Sequence, residues 1–294
     1  MSPRYRPTGS VRPSLLRTAR AALEEDRFRT DRTTALVLPR SVRAEAHVRA
    51  QAAGRLSGIA PARACARVAG LRVVHVLPDG SRLRPGTEVM VLRGDARRML
   101  AVERTLLNYL MHLSGVATWT EHAVDQVKDA PHPPEIWATR KTTPGLRDLE
   151  KAAVVHGGGH AHRRDLSDAV LVKNNHLAFV PLDRVLARIG SARGRSRPVE
   201  IEVRTAREAV AVARAGVSRV LIDNAGPARA RDIVRTLVRA GLRAGLWVEL
   251  SGGITPDNAK RYARVGADAL SLGALTHSAA ALPFRMAIQP AHRA

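Results

Sequence analysis

The alternation of apolar and polar positions changes character twice along this chain. Between Ser14 and Asp26 the run SLLRTARAALEED repeats apolar residues at helical spacing and stops before a polar turn at Asp31, which predicts a helix. The basic first dozen residues ahead of it are expected to fray. From about Leu36 to Gly94 shorter stretches take over: AHVRAQAAGRLSG, RVVHVLPDGSRL with a turn at Asp79-Gly80, and EVMVLRGD. They read as short strands joined by turns, an α+β lead domain. A long amphipathic run from Asp95 to about Lys128 then aims Leu100, Leu106, Leu107, Leu110, Leu113 and Val116 at a core, and the PHPP at 131–134 breaks it.

Past Pro134, short apolar strands alternate with helical stretches: EIWAT, AVLV, VEIEV, RVLID, LWVEL and ALSLG. Strand followed by helix, repeated, means parallel strands with right-handed crossovers. Six strands are legible, and a further one has room before AVLV, so an α/β barrel is preferred to an open doubly wound sheet. Loops after the last two strands, Ser251-Gly252-Gly253 and Gly273-Ala274, suit backbone contact with a phosphate, with a helix start predicted at Thr255-Pro256-Asp257-Asn258.

Composition narrows the class. With 294 residues and 45% hydrophobic content the chain can bury a large core. It has no apolar run near the roughly 20 residues that span a bilayer and no signal-type leader, which points to a cytoplasmic protein. The lone Cys65, in the alanine-rich helical stretch ARACARVAG, reads as a small buried hydrophobe. The formal charge of +22 invites a nucleic-acid reading. Against it, the arginines are spread over the whole length and aromatic residues amount to 3%, leaving little to stack on bases.

The candidate chemistry gathers between Thr139 and His176. Arg140 and Lys141 follow the EIWAT strand, Lys173 follows AVLV, and His162, Arg163 and Arg164 lie between them, after the triplet Gly157, Gly158 and Gly159. Cations at strand ends of an α/β chain converge on one rim, and the glycines allow close backbone approach to a ligand. Only five of the cations are lysines, yet Lys141 and Lys173 are two of them, so the site calls for compact ammonium groups. Two acids continue the rim, Glu202 in VEIEV and Asp223 at the end of RVLID. Cations, carboxylates and phosphate loops in that order suit a ligand with an acidic aromatic part, a metal-bridged middle and a phosphate tail.

These residues carry a resemblance to the quinolinate phosphoribosyltransferase family, the decarboxylating nicotinate-nucleotide pyrophosphorylases of NAD biosynthesis. The likeness runs over nearly the full length. It takes in EED followed by DRTT, ERTLLNYLMHLSGVAT, TRKTTPGLRDLEKAAV, GGG-x-x-HR, the lysine and histidine of Lys173 to His176, EIEV, LIDN, ELSGGIT and SLGALTHS. It implies an incomplete α/β barrel at 118–279 and a smaller N-terminal α+β domain at 1–117 joined by the C-terminal segment 280–294. It also implies a homodimer whose partners close each other's sites. Carried over residue by residue, it implies Arg104 of a second subunit, Thr139, Arg140, Lys141, His162, Arg163 and Lys173 around the two substrate carboxylates. Glu202 and Asp223 then hold magnesium-bound phosphoribosyl pyrophosphate, and Ser251, Gly252, Gly253, Gly273 and His277 surround its 5′-phosphate. Lys141, Glu202 and Asp223 are the expected catalytic residues.

The chain departs from the family pattern at Ala161, where an asparagine is usual, at Asn174, where an aspartate is usual, and in Leu282-Pro283-Phe284-Arg285. The alternatives are a paralogue acting on another aromatic acid, a zinc site at His156, His160 and His162 with no nearby acid to complete it, and a basic nucleic-acid binder. His176 and His112 read as structural.

Overall fold

In a computed structural model the chain is described for residues 13–38, 40–191 and 199–291, and the segment expected to fray lies outside them. Two units result, residues 1–119 with 279–294, and residues 120–278.

The first unit opens with α1 (Pro13–Glu25) and α2 (Arg32–Val37). The second of these helices replaces the turn expected at Asp31, whose carboxylate caps it by accepting from Thr34 N at 3.0 Å. There follow β1 (Arg43–Ala50), β2 (Gly54–Arg55), α3 (Ile59–Val68), β3 (Arg72–Val76), β4 (Arg82–Leu83) and β5 (Glu88–Asp95). Strand β1 buries Ala44, Ala46, Val48 and Ala50 and leaves the residues between them partly exposed, the period of a one-sided strand. It pairs antiparallel with β5 on one side and with the C-terminal strand β12 (Phe284–Pro290) on the other. Cys65 is buried in α3, and burial pushes its thiol up to about 12, so it behaves as a hydrophobe.

Helix α4 (Ala96–Val127) runs from the first unit into the second. Met99, Val102, Leu106, Leu110, Leu113 and Val116 form its buried stripe at three- and four-residue spacing. Leu100, expected in that stripe, is 41% exposed, because it sits about 100° around the helix from Met99.

The second unit carries β6 (Glu135–Trp137), α5 (Arg147–His156), β7 (Val170–Val172), α6 (Asn174–Leu177), α7 (Leu182–Ser191), β8 (Val199–Val203), α8 (Ala206–Arg214), β9 (Arg219–Asp223), α9 (Pro227–Arg239), β10 (Trp247–Ser251), β11 (Ala269–Ser271) and α10 (Ala274–His277). Its six strands are all parallel, in the order β6-β11-β10-β9-β8-β7. The extra strand expected before β7 is reduced to one residue: His160 bridges Trp137 and exchanges backbone hydrogen bonds with Ile136 and Ala138. Beyond that bridge β7 remains an edge among the described residues, so the barrel they form is incomplete. The helix expected after β10 is only a 3₁₀ turn at Ala259–Arg261.

Period two decides what each strand contributes. One parity is apolar and fully or almost fully buried: Ile136, Ile201, Val203, Val220, Ile222, Val248, Leu250 and Leu270. The other parity is polar, with Glu200 and Glu202 on β8, Arg219 and Asp223 on β9, Glu249 and Ser251 on β10, and Ser271 on β11. Trp137 and Trp247, also of that parity, meet with ring centroids 5.7 Å apart. The apolar parity holds the unit together, and the polar parity supplies its chemistry.

Candidate active site

Lys173 and Glu202 are where two halves of the expected site meet. Lys173 follows β7, and its Nζ lies 3.3 Å from Oε2 of the buried Glu202 on the neighbouring strand β8. Oε1 of Glu202 accepts from the side-chain amide of Asn174 and, at 3.4 Å, from its backbone N–H. His176 takes a structural role, its Nδ1 accepting from Lys173 N at 2.8 Å.

Asp223 ends the adjacent strand β9, hydrogen-bonded at 3.0 Å by Asn224 Nδ2. Burial first, and then the Glu202 charge, hold its carboxyl above the usual range, while Lys173 and Arg204 oppose the shift. Two repelling carboxylates at neighbouring strand ends are hard oxygen donors short of positive charge, which fits a magnesium ion that shares its shell with phosphates and water.

The other cations gather on the β6 side. Arg140 and Arg163 are close enough that Arg140 is, after burial, the main influence lowering Arg163, with Glu200 and Glu249 opposing. Arg140 Nε is buried without a hydrogen-bond partner among the described residues. Two guanidiniums held together against their repulsion are suited to a bound anion. Lys151, buried on α5, supports this corner through its Nζ, which donates to the Ala161 carbonyl; burial and then Arg147 push its ammonium down to about 8. Arg164, expected in the same cluster, turns to solvent and pairs with Asp148 at 2.6 Å.

Lys141 and the phosphate loops adjoin. A Cβ on Gly273 would stand 2.8 Å from Lys141 Cδ and 3.0 Å from His277 Nε2, so both side chains lie over this glycine. Thr139 Oγ1 accepts from Lys141 N at 3.0 Å, and Thr276 Oγ1 donates to the Lys141 carbonyl at 2.7 Å. After β10, Ser251 accepts from Asn224 N, Gly252 has φ +93° and Gly253 φ +66°, with open space where a Gly253 Cβ would stand. Arg104 belongs to the other unit, exposed on α4.

The glycine triplet works differently from its expected use. Gly157 caps α5, Gly158 takes φ +90°, and Gly159 packs against Thr120, Val154 and the Ile136 carbonyl. It leads the chain into the barrel rather than toward a ligand. The histidines of the alternative zinc site do not form one ligand group among the described residues: His160 stacks on Trp137, whereas His162 Nε2 lies 3.3 Å from Glu249 and 4.0 Å from Glu200. Burial and the Glu249 charge raise the Glu200 carboxyl well above its ordinary value. These two acids were missed in the sequence, although each stands two residues before a recognised rim residue, Glu202 or Ser251, and so on the same strand face.

Two family models match most of the chain. Residues 31–114 match the quinolinate phosphoribosyl transferase N-terminal domain, and residues 116–287 match its C-terminal domain. The chain belongs to the quinolinate phosphoribosyltransferase family. It is 39% identical over 250 residues to a probable nicotinate-nucleotide pyrophosphorylase (carboxylating) of Methanothermobacter thermautotrophicus, covering 85% of this chain and 90% of that one. A Mycobacterium leprae nicotinate-nucleotide pyrophosphorylase (carboxylating) is 36% identical, with 89% and 92% covered. The crystal structure of NadC from Streptococcus pyogenes superposes with a TM-score of 0.86 at 31% identity, covering 97% of this phosphoribosyltransferase and all of that chain.

Proposed function

We propose that the chain transfers phosphoribose from phosphoribosyl pyrophosphate to quinolinate and releases carbon dioxide, forming nicotinate mononucleotide and pyrophosphate for NAD biosynthesis. The contact of Lys173 with Glu202 carries the reading, because it joins a cationic pocket for a dicarboxylate to an acidic pair suited to a ribose. Arg140, Lys141, Arg163 and Lys173 bind the two pyridine carboxylates, with Thr139 holding the Lys141 backbone and His162 beside Arg163. Bound this way, the ring nitrogen faces C1 of the ribose. As the C1–O bond to pyrophosphate breaks, positive charge grows at C1, and the Glu202 and Asp223 carboxylates stabilise it.

The new C1–N bond makes the ring cationic. The C2 carboxylate then leaves as carbon dioxide, its bonding electrons stay on C2 beside the positive nitrogen, and a proton from water completes the product. Ser251, Gly252, Gly253, Gly273 and His277 receive the 5′-phosphate. Glu202 and Asp223 would hold Mg²⁺, which screens the pyrophosphate leaving group. The protein acts as a cytoplasmic homodimer in which Arg104 of one copy reaches the other's substrate; among the described residues no helix is long and apolar enough to cross a membrane.

Steady-state turnover with carboxyl-labelled quinolinate tests this. Labelled carbon dioxide should appear in step with pyrophosphate. Turnover of nicotinate or another aromatic acid, with none of quinolinate, would instead favour a paralogous transferase, for which Ala161 and Asn174 are the departures to examine.

A further inference from the structure

Two carboxylates buried in the middle of a barrel are costly, and the mechanism above uses neither of them. Glu249 is fully buried on β10 and Glu200 is 5% exposed on β8. Ser271 Oγ donates to Glu249 Oε1, while Glu249 Oε2 and Glu200 Oε1 have no hydrogen-bond partner among the described residues. What both face is one imidazole, that of His162, with Trp137 against it edge-on at a centroid distance of 5.3 Å.

One hydrogen bond assigns that ring's tautomer. Arg163 N–H donates to His162 Nδ1 at 2.6 Å, so Nδ1 presents a bare lone pair. The ring proton then sits on Nε2, which lies 3.3 Å from Glu249 Oε1. The same pattern disfavours a metal ion among these three residues, although their donor atoms lie within 4.8 Å of one another. A metal on Nε2 would move the ring proton to Nδ1, into the Arg163 N–H.

His162 also has φ 54°, the left-handed conformation that non-glycine residues adopt only where their surroundings impose it. Its ring is tied on one side to the Arg163 N–H and lies on the other against Glu249. The turn it makes delivers Arg163, whose Nη1 donates at 3.3 Å to the Ala169 carbonyl just before β7.

We propose that Glu249 is a positioning residue: by holding the Nε2–H of a neutral His162 it locks the left-handed turn that presents Arg163 to a carboxylate of the substrate. This deepens the function proposed above and rests on it for the identity of that substrate. His162 contributes as a spacer with a fixed tautomer rather than as a cation.

Two measurements test it. Imidazole ¹⁵N spectra of the intact protein, with the His162 signals identified by their loss in His162→Gln, need neither turnover nor a Glu249 variant. They should show Nε2 protonated and Nδ1 bare; a doubly protonated ring or the opposite tautomer overturns the proposal even if quinolinate is turned over. Kinetics form the second arm. Glu249→Leu should raise KM for quinolinate about tenfold or more and leave KM for phosphoribosyl pyrophosphate within about twofold, the cost expected for a residue that orients a binding group. Glu249→Gln, which keeps an acceptor oxygen, should recover most of the loss, and in a His162→Ala background Glu249→Leu should cost little more. Equal losses for both substrates, or an undiminished loss without His162, would refute it. A wild-type protein inactive on quinolinate defeats the functional proposal and leaves the tautomer to be judged by the spectra.

Discussion

Adding one methyl group at either of two consecutive glycines should give opposite phenotypes. At Gly252 a Cβ would stand 2.7 Å from Asn224 N and would overlap the Asn224 side chain. The backbone there cannot yield cheaply, since Asn224 N–H is bonded to Ser251 O at 2.9 Å and Asn224 Nδ2 to Asp223. A non-glycine residue at φ +93° costs about 1–2 kcal/mol, and forcing a packed backbone apart costs about 1–3 kcal/mol more. Gly252→Ala should therefore lose about 3 kcal/mol, a fall in Tm of roughly 10 °C for a unit of this size. At Gly253 the φ of +66° carries only the first cost, about 1 kcal/mol and roughly 3 °C, because nothing lies within 4 Å of its Cβ. On the proposed function, that open space receives the 5′-phosphate. Gly253→Ala should fold and bind quinolinate normally yet raise KM for phosphoribosyl pyrophosphate about tenfold, which corresponds to about 1.4 kcal/mol of lost contact. Thermal melts followed by circular dichroism and two-substrate kinetics read both effects. Equal melting of the two variants would refute the close approach at Gly252, and an unchanged KM in Gly253→Ala would refute the phosphate assignment.

Two further outcomes follow from buried charge. The Asp223 carboxyl is held above its unfolded value by burial and then by Glu202, so its stabilising contribution is present below the ordinary carboxylate range and lost as pH rises through the folded value. At pH 7 Asp223→Asn should consequently melt higher than wild type while losing turnover; a lower Tm would contradict the assignment. Lys151 is shifted the other way, from 10.5 unfolded to about 8 folded, chiefly by burial. Its cost is fully present below about 8 and is relieved as pH climbs toward 10.5. Between pH 7.5 and 10, wild type should gain stability relative to Lys151→Met, on the order of 3 kcal/mol at most, as read by urea unfolding at each pH; parallel curves would sink the idea.

Legibility in the sequence followed the strength of the local signal. Period-two apolar positions such as Ile201, Val203, Ile222 and Leu250 marked the strands, and the charged or glycine residues that broke each run, Lys173, Asp223 and Gly252, fell at strand ends for that reason. Where a segment is too short to show a period, the pattern misled. Helix α2 has six residues, the seventh strand is a single bridge at His160, and the stretch after Thr255 offers one 3₁₀ turn. Leu100 shows a different failure, since a run rich in leucine reads as amphipathic even when one member lies off the stripe.

The buried acids are the more instructive omission. In VEIEV and LWVEL a glutamate between apolar residues looks like a surface position on an alternating strand, and nothing local separates Glu200 from a solvated charge. The distinction lies in what the other strands bring. Parallel strands place Glu200, Glu249, Ser271 and Trp137 on the same strand face, and His162 enters from a loop well outside any strand period. Once a barrel is inferred, its rim residues locate the interior ones. A polar residue two positions before a rim residue shares its face, so Glu202 implies an inward Glu200 and Ser251 an inward Glu249. Ser271 on β11 bonds one oxygen of Glu249, and two such acids in one interior call for a further polar partner. The loop between α5 and β7, with its histidine next to an arginine, is then the place to look for it.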